Sequence, residues 1–465
     1  MNNTSSSLQN NQVQLTALPE IPDLLALHSF NSQRYPHLLS SAAIGSNARF
    51  DILFAFPDES LTLDATGLHL SSASDLNTDQ FFLALSEQWK LSSISTANDI
   101  GLPFTGGWFV YLAYEMAAEV EPALKLPADV SGLPIAIATR FQSAVIIDRQ
   151  QNEAYVVSET GIDHQNRLQQ IDSDLCSAAC VQIKEISASF NEEDAQIHLQ
   201  NLAKIHQYIV DGDIFQANLS RLWKARLQQE ITDSELFLSL KLNNPSPFAC
   251  LSSLPGGSIV SSSPERLVSI KNKRVDTRPI AGTRPRDQQE DKDQLLSDEL
   301  ISHPKERAEH IMLLDLERND LGRVCKPGSI KVDELMGIES YQHVHHIVSN
   351  VTGEKRDNVT PVDVIKAVFP GGTITGCPKV RCMEILAELE QTGRGAYTGS
   401  VGYINRNGDM DFNILIRTLV KTGQEVSFRA GGGIVFDSNP EHELAETRAK
   451  AKGMINALTN TLAKD

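Results

Sequence analysis

The segment AGGGIVFDSNPEHELAET, residues 430–447, joins the two kinds of element from which this chain is built. Upstream, residues 396–437 read as an antiparallel meander with turns at Asn405-Arg406-Asn407-Gly408-Asp409 and Lys421-Thr422-Gly423-Gln424. Downstream, a helix is expected after Pro440, through EHELAETRAKAKGMINALTNTLA. On it Glu443, Glu446 and Lys450 stand at i, i+3 and i+7 and share one face. Most such faces are solvated Glu–Lys ladders. Here Gly431-Gly432-Gly433 comes just before, and a glycine run lets backbone N–H groups approach an anion closely. A carboxylate ligand against the glycines, with a metal ion on the glutamates, uses both features.

Farther back, residues 304–322 read as a helix with Glu309 in its middle, and residues 256–286 as a run of strands that includes Glu265. Arg417 follows the apolar run Ile414-Leu415-Ile416, and an arginine among strand residues needs a partner, for which a substrate carboxylate is one candidate. Thr373-Ile374-Thr375-Gly376 after Phe369-Pro370-Gly371-Gly372 makes a donor-rich loop. Taken singly, Glu265, Glu309, Gln216 and His346 read as ordinary surface or structural side chains. Toward the N-terminus, FDILFAFP (50–57) is a short strand and AVIIDRQQNEAYVVS (144–158) two strands around a polar turn. A helix-prone stretch runs from Asp163 to about Glu185, and Asn191, with Asp194 three residues on, reads as the N-cap of the next helix. The chain divides into a disordered polar tail over 1–18, an N-terminal region over 19–188 and a catalytic region over 189–465, with a soft boundary near 185–192.

The 465 residues carry 41 Lys+Arg against 59 Asp+Glu, a net charge of −18, with 41% hydrophobic side chains. That is a globular composition with a sizeable core. Such an acidic surface repels phosphate backbones, so nucleic acid is not expected as a partner. Six cysteines build no disulfide framework and complete no zinc site, and all six are expected as small buried hydrophobes. No apolar run is long enough for a membrane span, and MNNTSSSLQNNQ lacks a basic or apolar leader segment, so a cytoplasmic protein is expected. The phosphate-loop, dinucleotide, nucleophile-elbow and HExxH patterns are absent. A glutaminase-type Cys elbow with a downstream His pair is absent as well, so the chain is not expected to release ammonia from glutamine itself.

The sequence resembles the chorismate-utilising enzymes: anthranilate synthase component I, aminodeoxychorismate synthase component I, and the isochorismate and salicylate synthases. The matching segments are GDIFQANLS (212–220), SSPERLV (262–268), TRPIAGTRPR (277–286), RAEHIMLLDLERNDLGR (307–323), VHHIVSNV (344–351), FPGGTITGCPKVRCMEIL (369–386), YTGSVGYI (397–404), FNILIRT (412–418) and the opening segment. RYPHLLSS, RFDILFAFP and PFTGGWFVYLAYE extend the likeness more weakly into the N-terminal part. The resemblance implies an α+β fold, two β-sheets packed face to face and flanked by helices, with the site in a deep cleft. It implies a Mg²⁺-dependent enzyme acting on chorismate. Carried over by position, Glu309 and Glu446 hold Mg²⁺, with Glu443 helping directly or through water. Tyr397, Arg417 and the backbone of Gly431, Gly432 and Gly433 bind the carboxylates. Lys450 lies on the metal face and neutralises the dianion. Glu265 is the general acid for the departing 4-hydroxyl, and His346 and Thr283 line the ring pocket.

Gln216 decides the first fork within the family. Members that add water carry a lysine there as the base; glutamine cannot be that base, and ammonia needs none. The second fork lies between two aminations. Asn218-Leu219-Ser220, Pro247-Phe248-Ala249, Leu39-Ser40-Ser41, Thr373-Ile374-Thr375-Gly376 and Arg49-Phe50-Asp51-Ile52 resemble the aminodeoxychorismate branch. Ala281 points the other way: well-known aminodeoxychorismate synthases have a nucleophilic lysine there, whereas anthranilate synthases have alanine. The weight of segments gives aminodeoxychorismate synthase component I, making 4-amino-4-deoxychorismate for 4-aminobenzoate and folate. Ammonia would come from a separate glutamine amidotransferase subunit. The alternatives are anthranilate synthase component I and a non-catalytic relative that binds chorismate or tryptophan.

Overall fold

The computed structural model describes residues 7–10, 13–41, 49–72, 76–95, 100–287, 289–340 and 344–459. The architecture is α+β, with antiparallel pairing between its strands and helices on the outside. The strand Gln216–Leu227 pairs over most of its length with Glu425–Ile434, and its far edge takes Ala188–Glu192 and Gly376–Cys377. In the N-terminal half, Phe50–Asp64 pairs with Ala136–Asp148. Two contacts stitch the halves together. Gly107–Leu112 lies between Ala136–Asp148 and Ser400–Asn405, and His37–Ser40 pairs with Phe248–Leu254. The sheet layers are therefore joined through shared strands, and the ladder crosses the expected 188/189 boundary.

Apolar patterning explains which faces are covered. Val145, Ile146 and Ile147 are all buried, as in a strand packed on both sides. Trp223 and Phe428, opposite one another in register, stack with centroids 5.6 Å apart. They share a core with Phe237 and with Met454 of the C-terminal helix Pro440–Thr459. A smaller core holds Leu202, Ile205, Leu219, Leu386 and Ile434, and it packs the helices Ala195–Val210 and Lys379–Glu390 behind the glycine strand. Burying each such side chain contributes roughly 1.5–3 kcal/mol.

Several sequence expectations need correction. The disordered tail over 1–18 is not what forms at residues 13–17, which make a strand paired antiparallel with Glu153–Glu159 and with Ser7–Asn10. Val13 and Leu15 alternate into the core there, and the polar composition hid that period of two. Residues 1–6 and 11–12 lie outside the described residues. Asn191 lies in a strand, and the helix cap is Asp194, whose carboxylate accepts from the Gln196 N–H at 2.9 Å. Cys176 and Cys180 are exposed rather than buried, and Cys180 lies beyond the helix His164–Ser177.

Candidate active site

The glycine run is strand rather than loop. Gly431, Gly432 and Gly433 end Glu425–Ile434 and pair with Ser220, Leu219 and Asn218. On the other edge, Thr418–Thr422 pairs only as far as Ser427, so among the described residues the glycines have a strand on one side alone. Backbone N–H groups along such an edge can receive an anion. Side chains converge on this backbone. A Cβ on Gly432 would lie 3.3 Å from Glu443 Oε2 and 3.6 Å from Glu446 Oε1, and one on Gly431 2.8 Å from Tyr397 Oη. One on Gly433 would collide with Gln216 Nε2. Gln216 is buried, and its Oε1 has no hydrogen-bond partner among the described residues. An amide oxygen left in that state is costly unless a ligand completes it.

The acidic set comes from two helices. Glu309 stands on Pro304–Gly322, and Glu443 and Glu446 stand one turn apart on Pro440–Thr459. Burial pushes the Glu309 carboxyl up to about 7; Lys305 opposes this, while Glu306, Glu443 and Glu446 reinforce it. Burial likewise raises Glu443, against a hydrogen bond from Ser438 Oγ at 2.6 Å. Glu446 pairs with Lys450 at 2.7 Å, and Lys450 Nζ donates to the Gly431 carbonyl at 3.0 Å. Among the described residues no three acidic or imidazole groups close into a metal cage. Oxygen donors from two helices, with Glu443 and Glu446 beside the glycine edge, nonetheless match what a hard divalent cation takes, with water completing the shell.

Glu265 sits between the strands Gly257–Ser263 and Arg266–Lys271. It is 5% exposed and accepts from Thr373 Oγ1 at 2.8 Å. Burial pushes its carboxyl up to about 7, against the Thr373 and Ile280 hydrogen bonds and the fields of Lys450 and Arg417. Arg417 is not a strand residue, contrary to expectation. It occupies a bend at φ +52° between Met410–Asn413 and Thr418–Thr422. Burial lowers its pKa, and Glu265 is the charge that opposes this. His346 Nδ1 lies 3.0 Å from Thr283 Oγ1 across paired strands. Burial, then Arg417, hold its imidazole down to about 4, so it is neutral at pH 7. Ala281 is buried on the same strand as Thr283.

The fold thus draws these residues together: Glu309, Glu443 and Glu446 act on one another, and Lys450 and Arg417 act on both Glu265 and His346. Cavities of about 640 Å³ (around Leu68–Leu70 and 76–79) and about 460 Å³ (around His28, Thr232 and Lys421) contain none of them.

Thr373, from the loop already read as donor-rich, holds Glu265. Three contributors are additional to the sequence-based set. Arg394 lies over the Tyr397 ring at 5.6 Å, donates to the Asn218 carbonyl at 2.7 Å and is itself held by Glu390 at 2.8 Å. Lys305 lies 3.8 Å from Glu309. Glu317 is eight residues beyond Glu309 on the same helix, and burial followed by Asp320 pushes it up to about 8. The i,i+4 spacings of Lys305–Glu309 and Glu390–Arg394 were legible as pairs, but not as neighbours of a site.

A family model described as chorismate binding enzyme matches residues 42–456. A Synechocystis protein named anthranilate synthase component I-like protein is 44% identical over 358 residues, 77% of this chain and 73% of that protein. The Bacillus subtilis aminodeoxychorismate synthase component 1 is 42% identical over 368 residues, 76% of this chain and 77% of that protein. Anthranilate synthase component I from Streptococcus pneumoniae TIGR4 superposes with a TM-score of 0.79 at 30% identity, covering 88% of this chain and 92% of that one.

Proposed function

Because the chain belongs to the chorismate-binding enzyme family, we propose that this chorismate-utilising enzyme aminates its substrate at C4. The product is then 4-amino-4-deoxychorismate, a precursor of 4-aminobenzoate and folate, and the ammonia comes from a separate glutamine amidotransferase subunit. The observation that carries amination over hydration is Gln216: a buried amide with an open acceptor, no base, beside the glycine edge. It can accept an N–H of ammonia but cannot deprotonate water.

In this reading Tyr397, Arg417 and the Gly431–Gly433 edge hold the substrate carboxylates, and Thr283 and neutral His346 line the ring. Glu309, Glu443 and Glu446 hold Mg²⁺, with Lys450 adding charge beside them. When bound, the ion supplies charge neutralisation for the ring carboxylate. Ammonia forms the C4–N bond as the C4–O bond breaks. The proton on Glu265 leaves with the hydroxyl as water, and the C4 ammonium returns one proton to the Glu265 carboxylate. With Ala281 at the position of the branch's lysine, no covalent enzyme intermediate is formed there.

Ala281 also favours a second reading, anthranilate formation, and the two relatives at 44% and 42% identity carry names from both branches. The test is product identification after incubating the pure chain with chorismate, Mg²⁺ and an ammonium salt at mildly alkaline pH. A product that an added lyase converts to 4-aminobenzoate supports the first reading. Fluorescent anthranilate eliminates it.

A further inference from the structure

Each member of the acidic set already has a partner within the chain. Glu446 has Lys450 at 2.7 Å, Glu443 has Ser438 Oγ at 2.6 Å, and Glu309 has Lys305, one helical turn before it, at 3.8 Å. Lys305 differs from Lys450 in two ways. Its side chain is 40% exposed, and the proposed reaction gives it no role. It lies at the start of Pro304–Gly322, yet its charge is also felt by Glu443 on the other helix. It is therefore a cation held at the mouth of a carboxylate set that spans two helices.

We propose that Lys305 is a built-in counter-ion which stands in for the divalent cation at Glu309 and Glu443 and must give way when that cation binds. The physical reason is charge balance. Three carboxylates brought together by folding repel one another, and an ammonium on a flexible four-carbon stem offsets that repulsion without a fixed geometry. The same ammonium then opposes a second cation at the same oxygens. Metal affinity is thereby held down in the free enzyme, and the released ammonium is left at the rim, where an incoming anion can take it up. This role rests on the metal reading of Glu309, Glu443 and Glu446.

The test is calorimetric titration of MgCl₂ into the full chain at constant ionic strength, without substrate, for the wild type, Lys305→Gln, Lys305→Arg and Glu309→Gln. Lys305→Gln is expected to bind Mg²⁺ about three- to tenfold more tightly, the effect of removing one partly screened unit charge from beside the site. Lys305→Arg, which keeps the charge, is expected to bind as the wild type does. Unchanged or weaker binding by Lys305→Gln, while Glu309→Gln loses affinity, overturns the role of Lys305 and leaves the metal reading standing. If Glu309→Gln binds as the wild type does, or no form binds at all, the metal reading fails and this proposal with it.

Discussion

Glu265 shows how one side chain acquires a chemical role. A carboxylic acid in water is ionised well below neutrality, but burial beside the strands at residues 257–271 brings it up to about 7, against hydrogen bonds from Thr373 and Ile280. The acid form is present below that value and is lost as pH rises through it. At saturating free ammonia, turnover should therefore fall above about pH 7, and Glu265→Gln should lower kcat by about 10²- to 10⁴-fold and remove that limb. A pH profile of kcat checks both. Thr373 stabilises the carboxylate form, so Thr373→Val should move the limb upward by about half to one pH unit; an unmoved or lowered limb would contradict the contact. Glu265 was legible as a candidate only through the family resemblance of SSPERLV (262–268), and read as ordinary when taken alone. Its partner was not, since Thr373 is 108 residues away in the chain.

The helix Pro304–Gly322 carries two glutamates whose carboxyls burial raises. Glu309 turns toward the C-terminal helix, and Glu317 is 6% exposed, facing inward near Lys379 and Asp320. With a folded pKa of about 8, against an ordinary value of 4.5, Glu317 binds more protons in the native state than in the unfolded chain. Its contribution to stability is greatest at low pH and is lost as pH rises from 4.5 through about 8. Glutamine mimics the protonated form and does not titrate. The melting temperature of Glu317→Gln minus that of the wild type should therefore become more positive between pH 5 and about 8.5; a flat difference would sink the assignment. The helix itself was readable from its spacing and from Pro304 at its start. The ionisation of its inward face was not, because burial is set by what packs against it.

At the scale of the molecule, the halves do not separate. Removing residues 1–188 would strip Gly107–Leu112 from Ser400–Asn405 and His37–Ser40 from Phe248–Leu254, opening two strand edges. It would also uncover Leu415 and Val420, which share a core with Phe54, Phe109 and Phe141. A fragment of residues 189–465 should therefore aggregate or melt without cooperativity. A sharp thermal transition by a monodisperse fragment would show that the catalytic region stands alone. Among the described residues, no helix is long and apolar enough to cross a membrane.

What the sequence determined by itself was local. The i, i+3, i+7 face of Glu443, Glu446 and Lys450, the glycine run before it, the meander turns and the order of motifs all follow from residues near one another in the chain. Tertiary structure decided which of these features meet. It placed the glycines at a strand edge, bent the chain at Arg417, brought Glu443 within the field of Lys305 and raised two glutamates to about 7 at the proposed site. The reason is that periodicity reports which face of an element a side chain occupies. Desolvation and the field of distant charges depend on elements that may be hundreds of residues away, and those arise only when the chain has packed.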